Sequence, residues 1–254
     1  MPERSGARKD RPLDDRVRLI RRTLARFRQL DDYEMAALAA ALDETRMLSH
    51  RGSSWAREGD SGYVVLEGWL VRTLTLPDGR RQIVDFLLPG DIAGCFARDG
   101  DSGIEQVSTL TAARVAPIPG ERLKALREEY CHLAFALTAA AASGYDRLMD
   151  QVLRLGQLAA YERTAHLMLD LLIRLRRVGL ASGDHYSLPV TQGELADALG
   201  LSQVHLNRVI RAMTRDRLVE IRGRAARTSV TICNVQRLAQ VAGYDVNRLP
   251  PGHA

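Results

Sequence analysis

The chain has 254 residues, of which 46% are hydrophobic and 26% charged; this is the make-up of a soluble globular protein long enough for two domains. Its net charge of +5 favours a polyanionic partner without establishing one. Cys95, Cys131 and Cys233 are far apart and odd in number, residues 1–12 lack the apolar core of a secretory leader, and no apolar run approaches bilayer length. A cytoplasmic protein with a reduced interior and no membrane partner is the expectation.

Residues 1–12 read as a disordered tail. Residues 13–27 form a basic amphipathic helix with Val17, Ile20, Leu24 and Phe27 on one side, a pattern that fits either packing on the next domain or a membrane surface. Asp31 and Glu34 make a capping box before an Ala-rich helix reaching about Leu42. From residue 45 to 119 the texture becomes β-rich. Runs 63–66, 69–76, 81–88, 106–111 and 114–118 are separated by turn signals such as Pro77-Asp78-Gly79 and Pro89-Gly90-Asp91, which argues for an antiparallel sandwich or jelly roll. The stretch 94–103 interrupts the strands as a short helix or loop.

Residues 121–129 read as a short helix and 131–158 as a long one. Its apolar stripe runs Leu137, Ala141, Gly144, Leu148, Val152, Leu155, in three- and four-residue steps with one slip. A two-fold dimer across this stripe is expected, with packing inside one chain as the alternative. A further helix over 161–178 leads through a Gly- and Ser-containing linker, 179–187, to the last unit.

That unit carries the most specific signal. Thr191 and Glu194 form a capping box, Leu195, Ala198 and Leu199 give the helix an apolar face, and Gly200 ends it. Ser202 then caps a second helix across a tight turn, the helix-turn-helix arrangement. At about 100° per residue, Leu206, Val209, Ile210 and Met213 fall on one side of that helix. Val204, Asn207, Arg208 and Arg211 fall opposite, with Gln203 and His205 flanking in the first turn. Arg208 suits guanine O6 and N7, Asn207 or Gln203 suits adenine, and Val204 a thymine methyl. A solvated polar face is the plainer alternative for one helix in isolation. Residues 218–221 and 228–232 alternate as a hairpin whose tip includes Arg222 and Arg224, as expected of a wing along phosphates. Asn234 caps a last short helix. Double-stranded DNA is the expected partner.

A jelly roll, a long helix and a winged helix in that order resemble the CRP/FNR superfamily of bacterial transcription regulators. The resemblance covers roughly residues 30–245 and is most specific over LADALGLSQVHLNRVIRAMTRDRLVEIRGR, with LLPGDIAG similar to the turn before the family's ligand cassette. It implies an α+β chain: an N-terminal antiparallel β jelly roll, a long dimerisation helix and a C-terminal winged helix-turn-helix. The corresponding domains are a tail at 1–12, helices and sensor jelly roll at 13–130, the dimerisation helix at 131–158 and the DNA-binding domain at 159–254. It further implies a homodimer on a near-palindromic site, with RNA polymerase as a further partner. Thr191 matches the family's phosphate-contacting threonine, Ser202 the recognition-helix cap and Arg208 the guanine-reading arginine. Val204 stands where many members carry glutamate, and His205 and Asn207 also depart, so a different base sequence is implied.

In the sensor unit, Gly94, Cys95, Phe96 and Arg98 mark the effector pocket that the resemblance implies. Cyclic-nucleotide members carry Gly-Glu and later Arg-Ser or Arg-Thr; here these positions read Gly94-Cys95 and Gly103-Ile104, and Asp99, Asp101 and Glu105 oppose an anion. With no cysteine before Cys95 there is no amino-terminal iron–sulfur cluster, and His50, His132 and His166 each stand alone as haem ligands. No cofactor is therefore expected. Cys95 is a candidate redox-sensitive thiol or an inert buried one. The six histidines give no cupin metal set, and no hydrolase, Walker or dinucleotide motif appears, so neither a metal nor catalysis is expected. The alternative function is a cyclic-nucleotide- or redox-responsive module whose winged helix makes protein contacts.

Overall fold

The computed structural model describes residues 15–55, 61–94, 105–223 and 228–244; the expected tail at 1–12 lies outside them. Two helices come first, α1 (Asp15–Leu24) and α2 (Asp32–Ala41). The expected capping box starts α2: the Asp31 carboxylate accepts from the Glu34 amide at 2.8 Å, and Glu34 Oε2 accepts from the Asp31 amide at 3.1 Å. The apolar side of α1 is buried at Val17, Ile20 and Leu24 against α2 and the first sheet, so the core takes up the face that also suited a membrane surface.

Among the described residues, eight strands follow: β1 (Arg46–Leu48), β2 (Ser54–Trp55), β3 (Gly62–Glu67), β4 (Leu70–Thr75), β5 (Arg81–Leu87), β6 (Ile92–Ala93), β7 (Glu105–Thr109) and β8 (Ala113–Ile118). They form two four-stranded antiparallel sheets, ordered β1-β8-β3-β6 and β2-β7-β4-β5. Side chains alternate along a strand, and here both faces of each sheet are covered. Tyr63 and Val65 point between the sheets with Leu70, Leu87 and Val115, while Val64 and Leu66 turn outward to the helices. That is why β3 is buried without a break from Gly62 to Leu66. The outward side chains Trp69, Val71, Ile83, Phe86 and Leu88 join the carboxy-terminal half in one continuous core. β1, β2 and β6 escaped sequence reading because two or three residues are too few for alternation to show.

Beyond the sheets lie α3 (Gly120–Glu129), α4 (Cys131–Gln157) and α5 (Ala160–Val178), then β9 (Ala181–Ser182) and β10 (His185–Leu188). The stretch expected as a linker, 179–187, is therefore partly sheet. Tyr186 and Leu188 face inward, β10 pairs with a later strand, and the buried Tyr186 hydroxyl donates to the Met168 carbonyl at 3.0 Å. The chain closes with α6 (Gln192–Leu199), α7 (Gln203–Arg215), β11 (Val219–Arg222), β12 (Thr228–Ile232) and α8 (Val235–Val241). The third sheet runs β11-β12-β10-β9. The whole is α+β, an amino-terminal jelly roll, a long helix and a carboxy-terminal winged helix-turn-helix. Among the described residues, no helix is long and apolar enough to cross a membrane.

The α4 stripe read from the sequence is covered unevenly by its own chain. Leu137 is fully buried and Gly144 buried, and Ala141 packs half-buried against the core that α1, α2 and α3 share. Leu148 and Leu155 are half-buried, and of the expected seam only Val152 is exposed. The face left open runs Phe135, Thr138, Ala142, Tyr145, Met149, Val152 in strict alternation of three and four.

The inner face of α4 carries polar groups that tie the two halves together. Arg147 grips Asp85 of β5 through Nε and Nη2, each at 2.9 Å. Arg174 of α5 donates to Asp91 at 2.7 Å and to the Phe86 carbonyl at 2.5 Å, with Asp170 3.6 Å away. Gln151 donates to the Ala198 carbonyl of α6 at 2.7 Å. Burial alone would push the Asp91 carboxyl up, but Arg147 and Arg174 outweigh it and hold it below the usual carboxylate value. Burial likewise works against the Arg147 charge, and Asp85 and Asp91 more than compensate.

Candidate nucleic-acid interface

The helix-turn-helix is built as its caps dictate. The Thr191 hydroxyl accepts from the Glu194 amide at 3.2 Å, and the Thr191 amide donates to Glu194 Oε2 at 2.7 Å, so the capping box opens α6. Gly200 ends it with φ +62°, the left-handed region where L side chains are strained; a Cβ there would also lie 3.1 Å from Leu155 of α4. Ser202 Oγ accepts from the His205 amide at 3.2 Å and starts α7. A Cβ at Gly193 would meet the Gln203 side chain across the turn, Nε2 at 3.1 Å.

Packing then fixes which face of α7 is presented. Leu206, Val209 and Met213 are buried under α6 and β11, with Ile210 at the margin. Gln203, Val204, His205, Arg208 and Arg211 are exposed, and Asn207 is half-buried beside them. An exposed Val204 at 63% is an apolar side chain with nothing of its own chain to cover it. Of the six α7 residues named from the sequence, five are thus exposed and Asn207 is half-buried, with Thr191 at the neighbouring helix start. Arg222 ends β11 on the wing, held by Glu220 at 2.8 Å; Arg224 lies outside the described residues. So do Cys95, Phe96 and Arg98 of the expected effector pocket, while Gly94 follows β6 with φ +75°. Among the described residues, no cluster of three or more His, Cys, Asp or Glu could hold a metal ion.

A second set of contacts went unanticipated. The jelly-roll sheets hold α6 directly: Arg51, in the turn between β1 and β2, reaches the Glu194 carboxylate and the carbonyls of Leu110 and Pro189. Arg81 donates to Asp197 at 2.6 Å, and Gln82 to the Asp197 carbonyl at 2.5 Å. Contacts spanning more than a hundred residues leave no local trace in sequence. Tyr161 of α5 donates to Asp216 after α7 at 2.7 Å, and burial with that bond pushes its hydroxyl up to about 12.

Comparison with known proteins agrees with this geometry. Residues 162–241 match the Crp-like helix-turn-helix domain, and residues 50–130 the cyclic nucleotide-binding domain. The nitrogen fixation regulation protein FixK of Bradyrhizobium diazoefficiens is 32% identical over 162 residues, 63% of this chain and 67% of that protein. The transcriptional activator protein Anr of Pseudomonas protegens is 29% identical over 217 residues, 84% of this chain and 86% of that protein. The solved structure of FixK2 from Bradyrhizobium japonicum superposes with a TM-score of 0.66 at 26% identity, covering 78% of this chain and 96% of that one. Such regulators bind DNA and typically dimerise, and they are not enzymes. The chain, with its jelly-roll sensor domain and winged helix-turn-helix, belongs to the CRP/FNR superfamily of transcription regulators.

Proposed function

We propose that the chain acts in the cytoplasm as a homodimer on a near-palindromic duplex, with α7 of each copy in successive major grooves about one helical turn apart. The observation that carries this reading is a pair of outward faces on one chain. One is the polar face of α7, and the other the unpartnered apolar face of α4. Tyr145, Met149 and Val152 on α4 supply the anchors of a two-stranded seam with the three-four spacing of a coiled coil. On DNA, Arg208 reads guanine through O6 and N7, and Val204 meets a thymine methyl. Thr191 and Arg224 contact phosphates, as the family resemblance and the basic wing suggest.

A signal at the jelly roll shifts the population between competent and incompetent dimers, and RNA polymerase is the further partner. The half of the expected effector pocket nearest Gly94 departs from the cyclic-nucleotide pattern, which favours another signal or none. The test is selection of random duplexes by the purified, ligand-free protein, read by anisotropy at two salt concentrations. A two-fold symmetric site at nanomolar affinity is expected. Sequence-blind, salt-sensitive binding alone, persisting in cell extract, would count against a regulator that reads bases through α7.

A further inference from the structure

Glu194 sets a carboxylate at the start of α6, where the duplex reading above puts a phosphate. By itself it would repel a duplex and oppose the attraction of the helix N-terminus for anions. The group that answers it comes from the sensor domain. Arg51 Nη2 binds Glu194 Oε2, the same oxygen that accepts from the Thr191 hydroxyl at 2.9 Å and the Thr191 amide at 2.7 Å. The Arg51 guanidinium and the Thr191 hydroxyl are thus separated by no more than two hydrogen bonds through one atom. The guanidinium is held in place by the carbonyls of Leu110 and Pro189. Its side chain is still 33% exposed. A guanidinium carries five N–H donors in a fixed fork suited to phosphate, more than its three named acceptors use.

We propose that Arg51 completes the phosphate-facing end of α6 and belongs to the DNA footprint, so that the sensor domain supplies a backbone contact in each half-site. The inference rests on Thr191 facing a phosphate. It makes docking of α6 on the sensor sheets and DNA binding mutually supportive, because the bound duplex and Glu194 share one cation.

The test uses the full chain carrying Arg51→Gln, Arg51→Lys, Glu194→Gln, and Arg51→Gln with Glu194→Gln. Binding to a random-sequence duplex and to the selected site is read by anisotropy across a salt series. Glutamine preserves the capping box, so Glu194→Gln removes the charge and keeps the helix start. Arg51→Gln is expected to weaken both duplexes alike and to flatten the slope of log K against log salt by about 0.9 per protomer, or about 1.8 per dimer. Over a fourfold rise in salt, its deficit against the parent then shrinks roughly tenfold. Arg51→Lys keeps most of the slope, and Arg51→Gln still flattens it in the Glu194→Gln background.

An unchanged slope overturns the proposal, as does tighter binding by Arg51→Gln, which would mean that the contact restrains the winged helix. So does a deficit that vanishes with Glu194→Gln, since Arg51 would then only silence that carboxylate. Arg208→Ala run in parallel separates the layers. If it relaxes base preference while Arg51→Gln changes nothing, only the role of Arg51 falls; if the parent binds no duplex, both fall.

Discussion

Arg208 and Leu206 are two residues apart on α7 and face opposite ways, and their energetics differ accordingly. Leu206 is fully buried, so replacing it damages the fold; Arg208 is exposed. Arg208→Ala is therefore expected to leave thermal unfolding in place while costing about 1–3 kcal/mol per half-site and relaxing discrimination at one base pair. Repeating the duplex selection with the variant checks this; equal loss on every sequence would make Arg208 a phosphate contact. Ser202→Ala has the reverse profile. It removes the Oγ that accepts from the His205 amide and should lower stability by about 1 kcal/mol in denaturant titration. These residues were legible in the sequence because caps and helical periodicity are local. Arg51 was not, because its partners Pro189 and Glu194 lie 138 and 143 residues away.

Among the elements, α4 shows how far periodicity goes and where it stops. A helix that is apolar on two sides gives two stripes, and sequence alone does not say which one its own chain covers. The structure assigns the stripe through Leu137 and Gly144 to the interior and leaves Tyr145, Met149 and Val152 outside. The outer stripe has the stricter spacing, which a coiled-coil seam requires over several turns and a globular core does not. Two substitutions separate the faces. Met149→Glu, which sets like charges against each other in a two-fold seam, should shift the protein to monomer in sedimentation velocity with little change in the fold of each chain. Leu137→Ala should cost about 2–5 kcal/mol in unfolding, the range for deleting a buried leucine, without favouring monomer. If Met149→Glu remained dimeric at low micromolar concentration, the outer stripe would not be the seam. The winged helix was legible element by element except for β9 and β10, which are too brief a pattern among glycine and serine.

At the scale of the whole molecule, an ion-pair hub lies where the hydrophobic cores of its parts adjoin. Asp85 from β5, Asp91 from the turn after it, Arg147 from α4, and Asp170 and Arg174 from α5 converge where the sensor sheets, the long helix and the DNA-binding half meet. Such a group stabilises only while complete, because removing one partner strands a buried charge. Asp85→Asn should therefore cost about 3–5 kcal/mol in unfolding and loosen α4 from β5, measurable as faster amide exchange in both elements. The pH dependence follows from Asp91. Its carboxyl is held below the usual value because Arg147 and Arg174 outweigh burial, so the folded state binds a proton less readily than the unfolded chain. The stability this contributes is full above the ordinary carboxylate pKa of about 3.9 and is lost as pH falls through the lower folded value. From pH 5 to 8 the Asp91 contribution should stay constant. Between pH 4 and pH 2 the parent should lose more stability than Asp91→Asn, which has no proton to gain there. Parallel acid titrations of the two, followed by circular dichroism, give that difference directly, and equal slopes would show that the hub does not depend on the Asp91 charge.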